Sequence, residues 1–287
     1  MPYAKNKGVK IWWQEQGEGE PLLAVMGLSF SLEMWHRTAP YLARHFRVIL
    51  FDNRGVGRSD VPEGPYLIRR MAQDAVAVLD AAGVNSAHVI GASMGGMIAQ
   101  EMALTYPERV RSLILGCTWC GGLRAARPGF TEIRRLQNYH RLSPEGKLRA
   151  FVPLLYTADT PVERIEEDIA LRMKVLPTAK GYQNQLIGLL LWNSWNRLPR
   201  IKQPVKIMHG EFDRLIPVAN AHLIATRIPH AQVCVLPNAG HVFTTDQPEL
   251  SNREALSFLL EQERGRGHKE RTLGFRWSAG MDDPIEA

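Results

Sequence analysis

The hexapeptide GASMGG at residues 91–96 constrains the fold of this chain more than any other segment. A short apolar run at residues 87–90 precedes it, and a segment with helical spacing at residues 97–106 follows it. This order predicts a strand, a sharp turn and a helix, with Ser93 at the apex of the turn. Gly91 and Gly95 would allow the backbone segments on either side of such a turn to approach closely.

Apolar runs and helical segments alternate through most of the chain, with short connections between them. An opening strand is predicted at residues 9–16, and short apolar runs typical of buried strands lie at 21–26, 47–51, 87–90, 110–116, 205–209 and 231–236. Helical spacing is found at 34–45, 67–82, 97–106, 218–227 and 249–261. The alternation predicts an α/β fold, with a mostly parallel sheet covered by helices on both faces.

The middle of the chain departs from this alternation. Residues 121–198 have no clear strand pattern and are rich in Arg, Leu, Glu and Pro at helical spacing. We therefore predict a helical cap at 121–198, inserted between two parts of the α/β core at 1–120 and 199–261. Residues 262–287 are charged and weakly periodic, which indicates a surface extension or partial disorder.

Composition and charge exclude several classes of function. Of the 287 residues, 45% are hydrophobic and 22% are charged, which is typical of a soluble globular protein. The net charge is +6, but the basic residues cluster only modestly and do not form one dense stripe with interleaved aromatics, so we expect no nucleic-acid partner. No apolar run reaches the roughly 18 residues of a membrane span, and no signal-peptide pattern opens the chain. We therefore expect a cytoplasmic protein.

The three cysteines do not indicate a disulfide framework or a metal site. Cys117 and Cys120 have C-x-x-C spacing, and Cys234 lies far along the chain. An odd, low count is typical of a reducing compartment. A structural zinc site needs about four ligands, and the sequence has no second pair. We interpret these residues as small buried side chains and predict no metal.

Two polar residues follow later strands, in positions that suit activation of Ser93. A serine hydroxyl is a poor nucleophile until a base accepts its proton. Asp213 follows the run at 205–209, and His241 follows the run at 231–236. Because ligands bind outside the carboxyl ends of parallel strands, the three side chains are expected to meet there. His241 would act as the general base, and Asp213 would fix its tautomer.

Other residues compete for these two roles. Glu211 lies two residues before Asp213, but the apolar residues 215–217 would anchor Asp213 and favour it as the acid. The chain has nine histidines, and His241 is the one that follows the last predicted strand. His209 lies at a strand end before the acid, where we expect a lining or structural role.

Backbone N–H groups complete the predicted site. Met94 begins the helix after Ser93, so its N–H group would face a developing oxyanion. Gly27 permits a turn after an early strand, which would direct the N–H group of Leu28 at the same oxygen.

The glycine-containing loop at residues 52–59 is not interpreted as a phosphate site. No helix starts directly after its glycines, and it contains no Gly-Lys-Ser or Gly-Lys-Thr. A loop-stabilising network of Asp52 and Arg54 is the expected alternative.

With these segments, the chain resembles the α/β-hydrolase superfamily. The resemblance rests on residues 26–28, 52–59, 91–96, 210–213 and 240–241, and it covers about residues 9–260 apart from the cap. Within that superfamily the chain is similar to small capped serine hydrolases: carboxylesterases, 3-oxoadipate enol-lactonases, polyketide methylesterases, C–C bond hydrolases and cofactor-free haloperoxidases. Most of these carry His-Gly where this chain has Met26-Gly27, which weakens any assignment that needs that histidine.

The resemblance implies hydrolysis of carboxylic esters through an acyl-enzyme intermediate, with the triad Ser93, His241 and Asp213 and no cofactor. The partner would be a small-molecule ester or lactone. Hydrolysis of a lactone or a C–C bond by the same triad is the alternative. A ligand-binding protein on the same scaffold is a further alternative, against which the complete triad argues.

The cap is expected to supply the substrate pocket. Met173, Leu190, Trp192 and Trp195 lie in it, Val242 follows His241, and all five are apolar enough to line a pocket. The cap side chains could instead pack their helices against the core.

Overall fold

A mostly parallel sheet of eight strands forms the centre of the molecule in the computed structural model, which describes residues 3–135 and 141–278. The strands are β1 (Tyr3–Asn6), β2 (Val9–Gln16), β3 (Glu20–Val25), β4 (Phe46–Phe51), β5 (Ala87–Ala92), β6 (Val110–Gly116), β7 (Val205–Gly210) and β8 (Gln232–Leu236). The α-helices are α1 (Ala39–Leu42), α2 (Ile68–Ala81), α3 (Met94–Thr105), α4 (Phe130–Arg135), α5 (Pro144–Leu155), α6 (Val162–Lys174), α7 (Ala179–Leu190), α8 (Ala219–Arg227), α9 (Phe243–Asp246) and α10 (Pro248–Ser278).

The strand order in the sheet is β1-β2-β4-β3-β5-β6-β7-β8. The pairs β1–β2 and β2–β4 are antiparallel, and every later neighbour pairs in parallel. This topology confirms the predicted α/β fold. Strand β1 was not predicted, because it is short and its pairing with β2 depends on a turn at Lys7 and Gly8, both with positive φ.

Both faces of the central strands are buried, so their side chains alternate between two apolar layers. In β3, Leu23 and Val25 join the layer that includes Met71 of α2 and Met97 of α3. Leu22 of the same strand joins the opposite layer, with residues of α1 and α10. This arrangement leaves the carboxyl ends of the parallel strands open toward the segment between β6 and β7.

Two predicted helices have different bounds in the structure. The segment at 34–45 forms a short 3-10 turn at Leu32–Trp35 and the short helix α1, because Pro40 lacks the N–H group that a continuous helix needs. Helix α10 continues past residue 261 to Ser278. Of the 17 added residues, eight are Glu, Arg, Lys or Gln, which favour helix. Glu263 also binds Nε2 of His88 at 2.6 Å, which fixes α10 beside β5. Residues 279–287 of the predicted extension lie outside the described part.

The loop after β4 is held by two separate sets of contacts instead of one Asp52–Arg54 network. Asp52 accepts hydrogen bonds from the backbone N–H groups of Leu32 at 2.9 Å and Arg58 at 3.0 Å. Arg54 forms a buried bidentate pair with Asp74 of α2, at 2.5 and 2.6 Å. Asp52 and Asp74 therefore accept hydrogen bonds from different donors.

Helices α4 to α7 lie between β6 and β7, in the segment 121–198 that we propose as a cap. Buried polar contacts join it to the segment after β8. Asp168 of α6 accepts a hydrogen bond from the hydroxyl of Thr245 at 2.7 Å. Asp246 accepts hydrogen bonds from Thr160 at 2.5 Å and from the N–H group of Gly240 at 2.6 Å. The cap is thus bound to the loop that carries residue 241.

Across the described ranges, no helix is long and apolar enough to cross a membrane.

Candidate active site

The turn between β5 and α3 holds Ser93 in a strained backbone conformation. Its φ is 57° and its ψ is −120°, a combination that costs a non-glycine residue roughly 1–3 kcal/mol. Neighbouring groups hold this conformation in place. The N–H group of Ser93 donates to Gly116 at 2.8 Å, and its carbonyl accepts hydrogen bonds from Thr118 at 2.8 Å and Gly96 at 2.9 Å. The side chain is thereby presented beyond the end of β5.

The glycines of the hexapeptide are required by close backbone contacts. A Cβ atom at Gly91 would overlap the carbonyl oxygen of Gly95. A Cβ atom at Gly95 would overlap the carbonyl of Val25 at the end of β3. The turn therefore packs against the neighbouring strand, as the spacing of the glycines predicts.

Asp213 and His241 are in contact at the same edge of the sheet. Nδ1 of His241 lies 2.8 Å from Oδ2 of Asp213, and both side chains are buried. The other oxygen, Oδ1, accepts hydrogen bonds from the N–H groups of Leu215 at 2.9 Å and Ile216 at 2.8 Å. Because an ionised carboxylate can only accept, Nδ1 carries the proton and Nε2 is the basic nitrogen.

His209 is a second imidazole on the same carboxylate. Its Nε2 lies 3.2 Å from Oδ2 of Asp213 and 2.7 Å from the carbonyl oxygen of Ile216. Burial raises the pKa of Asp213, but the charge and hydrogen bonds of His241 and His209 outweigh it and hold that pKa below its usual value. This contact of His209 was not predicted, although a histidine four residues before the acid was a usable signal.

The loop after β3 lies directly against Ser93. A Cβ atom at Gly27 would lie 3.0 Å from Cβ and 3.5 Å from Oγ of Ser93. Gln185 of α7 accepts a hydrogen bond from the N–H group of Ser29 at 2.9 Å, which fixes the loop. The neighbouring N–H group, that of Leu28, has no acceptor in the described part of the chain. This contact of Gln185 with the loop was not predicted.

Met94 is the first residue of α3, so its N–H group has no partner within the helix. Its side chain is fully buried in the core. Met94 follows Ser93 in sequence and Leu28 follows the glycine that lies against Ser93, so their N–H groups are the two candidate donors.

We expect Gly27→Ala to lower kcat by about 100-fold, comparable to the loss of one oxyanion donor. The added methyl group would press on Ser93 and displace the loop that presents the Leu28 N–H group. Steady-state kinetics on an activated ester would measure the effect. Gly265→Ala is the matched control, because a Cβ atom there meets nothing within 4 Å. Equal activity of the two variants would contradict this role of the loop.

A cavity of about 310 Å³ lies over these groups, with Ser93 and His241 in its wall. Its lining is mostly apolar, which is typical of sites for small organic ligands. Leu28, Leu190 and Val242 from the sequence analysis lie in this wall. The other apolar lining residues include Met26, Phe30, Met34, Trp35, Trp119, Phe151, Leu155, Leu186, Leu189, Leu215, Ile216 and Phe243.

Three residues predicted for the pocket lie elsewhere. Met173 is an exposed residue of α6. Trp192 is buried against α3, where its Nε1 donates to Glu101 at 3.0 Å. Trp195 packs beside the core, with the guanidinium of Arg227 5.2 Å from its ring centroid. Apolar character alone did not distinguish packing against the core from lining the cavity.

Arg172 and Tyr182 line the cavity and were not predicted to do so. Arg172 is adjacent in sequence to Met173, and one residue along a helix turns the side chain by about 100°. The side chain one position before Met173 therefore faces the cavity, and Met173 does not.

Cys117 and Cys120 are buried free thiols, and Cys234 is half-buried. Burial raises the pKa of the Cys117 thiol well above its usual value. Among the described residues, no group of three or more His, Cys, Asp or Glu side chains is arranged to hold a metal ion.

Comparisons with known proteins agree with the fold. The family model of the alpha/beta hydrolase fold matches residues 20–248. The chain is 33% identical over 264 residues to a protein of Azorhizobium caulinodans assigned as the carbamate hydrolase RutD, covering 91% of this chain and 99% of that protein. It is 34% identical over 251 residues to a poly(3-hydroxyalkanoate) depolymerase of Ectopseudomonas oleovorans, covering 86% of each chain. Among solved structures, the enol-lactonase of Burkholderia xenovorans aligns with a TM-score of 0.79 at 25% identity, covering 90% of this chain and 100% of that one.

Proposed function

This chain belongs to the alpha/beta hydrolase fold family, and from that premise we propose that it hydrolyses carboxylic esters through an acyl-enzyme intermediate. The contact between His241 and Asp213 at 2.8 Å, beside a cavity that also exposes Ser93, is the observation that carries the proposal. The two relatives described above are named as hydrolases, which supports the general class of reaction.

In the first half of the reaction, Oγ of Ser93 attacks the ester carbonyl while Nε2 of His241 accepts its proton. The N–H groups of Met94 and Leu28 donate to the oxyanion of the tetrahedral intermediate. Asp213, whose pKa is held low, remains ionised and stabilises the imidazolium. The imidazolium then protonates the leaving alcohol, and the acyl group remains on Ser93.

In the second half, a water molecule takes the place of the alcohol. His241 accepts a proton from this water, whose oxygen attacks the acyl carbonyl. The intermediate collapses, His241 returns the proton to Oγ of Ser93, and the carboxylic acid leaves. The mostly apolar cavity suits an uncharged carbonyl group and its apolar substituents.

A fluorophosphonate probe tests the proposal directly, because it phosphonylates only an activated serine. Peptide mass spectrometry should locate the adduct on Ser93 and on no other residue. Turnover of p-nitrophenyl acetate should be lost in proportion to labelling. An unlabelled Ser93 in protein that still turns over esters would overturn the proposed nucleophile.

A lactone is a second candidate substrate, because it is a cyclic ester and needs the same groups. The likeness to an enol-lactonase structure favours including it. A panel of open esters, lactones and vinylogous diketones should separate ester, lactone and C–C bond hydrolysis by their relative kcat/KM. Saturable binding without turnover of any of them would favour a ligand-binding protein.

A further inference from the structure

The loop after β3, which carries the candidate oxyanion donor Leu28, is held from two sides. On the core side, the side-chain amide of Asn53 donates a hydrogen bond to the carbonyl oxygen of Met26 at 2.8 Å. On the cap side, Gln185 of α7 accepts a hydrogen bond from the N–H group of Ser29 at 2.9 Å. The N–H group of Leu28 lies between these two contacts. The loop is therefore fixed both before and after the donor that the proposed mechanism uses.

Ser29 adopts a left-handed backbone conformation, with a φ of 61°. This region is unfavourable for a residue with a Cβ atom, so neighbouring contacts have to maintain it. The N–H group of Phe30 closes the turn by donating to the carbonyl of Gly27, but at 3.3 Å this hydrogen bond is long. Only Leu28 separates the peptide group held by Gln185 from the peptide group that carries the Leu28 N–H. The contact with Gln185 therefore restricts the direction in which that N–H points.

The side chain of Gln185 is fully buried, and its two polar atoms have different partners. Its Oε1 accepts from the N–H group of Ser29, and its Nε2 donates to the carbonyl oxygen of Arg54 at 2.8 Å. An N–H group can only donate and a carbonyl oxygen can only accept, so the two partners fix the orientation of the amide. Gln185 thus joins the loop after β3 to the loop after β4, from a helix of the cap segment.

Glycines on either side of Gln185 bring this face of α7 close to the core. Gly181 lies four residues before Gln185 and Gly188 three residues after it, so all three share one face of the helix. A Cβ atom at Gly181 would overlap the carbonyl oxygen of Gly55. A Cβ atom at Gly188 would overlap the carbonyl oxygen of Tyr66. The backbone of α7 therefore rests on the core at both positions and holds Gln185 against the loops.

We propose that Gln185 is a positioning residue, which directs the N–H group of Leu28 toward the oxyanion that forms on the substrate. The inference rests on the proposed ester hydrolysis and deepens it, because stabilisation of the tetrahedral intermediate then depends on a helix of the cap. Gln185 itself does not line the cavity. Gln185→Met keeps the approximate size of the side chain and removes both hydrogen bonds. It should lower kcat about 10- to 100-fold, somewhat less than complete loss of an oxyanion donor.

Two ketones test this role as competitive inhibitors, hexyl trifluoromethyl ketone and hexyl methyl ketone. With the fluorinated ketone, Oγ of Ser93 forms a bond to the carbonyl carbon, the C=O electron pair moves to the oxygen, and the serine proton passes to Nε2 of His241. This adduct carries an oxyanion, whereas the methyl ketone binds without the new bond. Gln185→Met should raise Ki for the fluorinated ketone about 10- to 100-fold and leave Ki for the methyl ketone within about threefold.

Two further variants complete the experiment. Gln183→Met is the matched control, because Gln183 is exposed on the same helix, and it should change neither kcat nor either Ki. Gln185→Glu keeps an oxygen that can accept from the Ser29 N–H and should retain a selectivity between those of the wild type and Gln185→Met. An equal loss of affinity for both ketones in Gln185→Met would show a packing role only and overturn the proposal.

Hydrogen exchange of a peptide that contains residues 26–30, followed by mass spectrometry, gives a readout that needs no turnover. Exchange should be at least tenfold faster in Gln185→Met and unchanged in Gln183→Met. If the wild type cleaves esters through Ser93 and Gln185→Met matches it in kcat and in both Ki values, this inference fails alone. If the wild type neither cleaves esters nor binds the fluorinated ketone more tightly than the methyl ketone, the ester-hydrolase proposal fails and this inference fails with it.

Discussion

Ser93→Ala is expected to lower kcat for ester hydrolysis by about 10⁶-fold, with the fold retained. In the proposed mechanism the hydroxyl forms the acyl-enzyme, and the backbone contacts that hold the turn do not use it. Because alanine keeps a Cβ atom, the strained backbone at φ 57° is preserved and only the nucleophile is removed. Single-turnover and steady-state kinetics with a p-nitrophenyl ester would measure the loss, and circular dichroism would verify the fold.

Ser86→Ala is the matched control for this experiment. Ser86 lies at the opposite end of β5, where its hydroxyl accepts a hydrogen bond from Arg111 at 3.1 Å. Its removal should leave kcat within a few-fold of the wild-type value. If Ser93→Ala kept more than about 1% of the activity, another group would have to supply the nucleophile.

Asp213→Asn is expected to lower kcat by about 10⁴-fold. The amide can donate an N–H group to Nδ1 of His241, whereas the carboxylate accepts from it. Nε2 would then carry the ring proton and could not accept the proton of Ser93. Glu211→Gln is the informative comparison, because Glu211 is the acid that the sequence leaves as the alternative. It is exposed and lies 3.4 Å from the N–H group of Asn238, so its replacement should change kcat only a few-fold. The reverse ranking of the two variants would reassign the catalytic acid.

The same substitution should change how stability depends on pH. The folded-state pKa of Asp213 lies below its ordinary value of 3.8, so its carboxylate stabilises the fold above that pH. This contribution is lost as the pH falls through the folded-state pKa, when the group becomes protonated. The free energy of unfolding of the wild type, measured with urea between about pH 5 and pH 2, should therefore fall more steeply on acidification than that of Asp213→Asn. Parallel curves for the two proteins would contradict the lowered pKa.

The sheet and the positions of three candidate catalytic residues could be predicted, because each depends on a short sequence pattern and on the edge at which parallel strands end. A buried parallel strand reads as a continuous apolar run, and the residue after it lies at one common edge. Ser93, Asp213 and His241 each follow such a run, so their proximity required no knowledge of loop conformation. Strand β1 has no continuous apolar run, since a short edge strand forms through its pairing with the neighbouring strand β2.

The cavity wall could not be predicted in the same way. Helical periodicity indicates which residues share a face, but it does not indicate whether that face meets the core or a cavity. Trp192 illustrates this limit, because its indole meets Glu101 in the core. Arg172 illustrates the same limit, because it was not predicted to line the cavity and its guanidinium lies over the ring of Phe30.

The hydrogen bonds between the cap and the segment after His241 limit how this scaffold can be recombined. Thr160 and Asp168 come from the cap, and their partners Asp246 and Thr245 come from the core. A chimera that received the cap of a relative without equivalents of these two residues would leave buried polar groups unmatched next to His241, the proposed base. We therefore expect a stable exchange of the cap between relatives to require transfer of the segment around α9 as well.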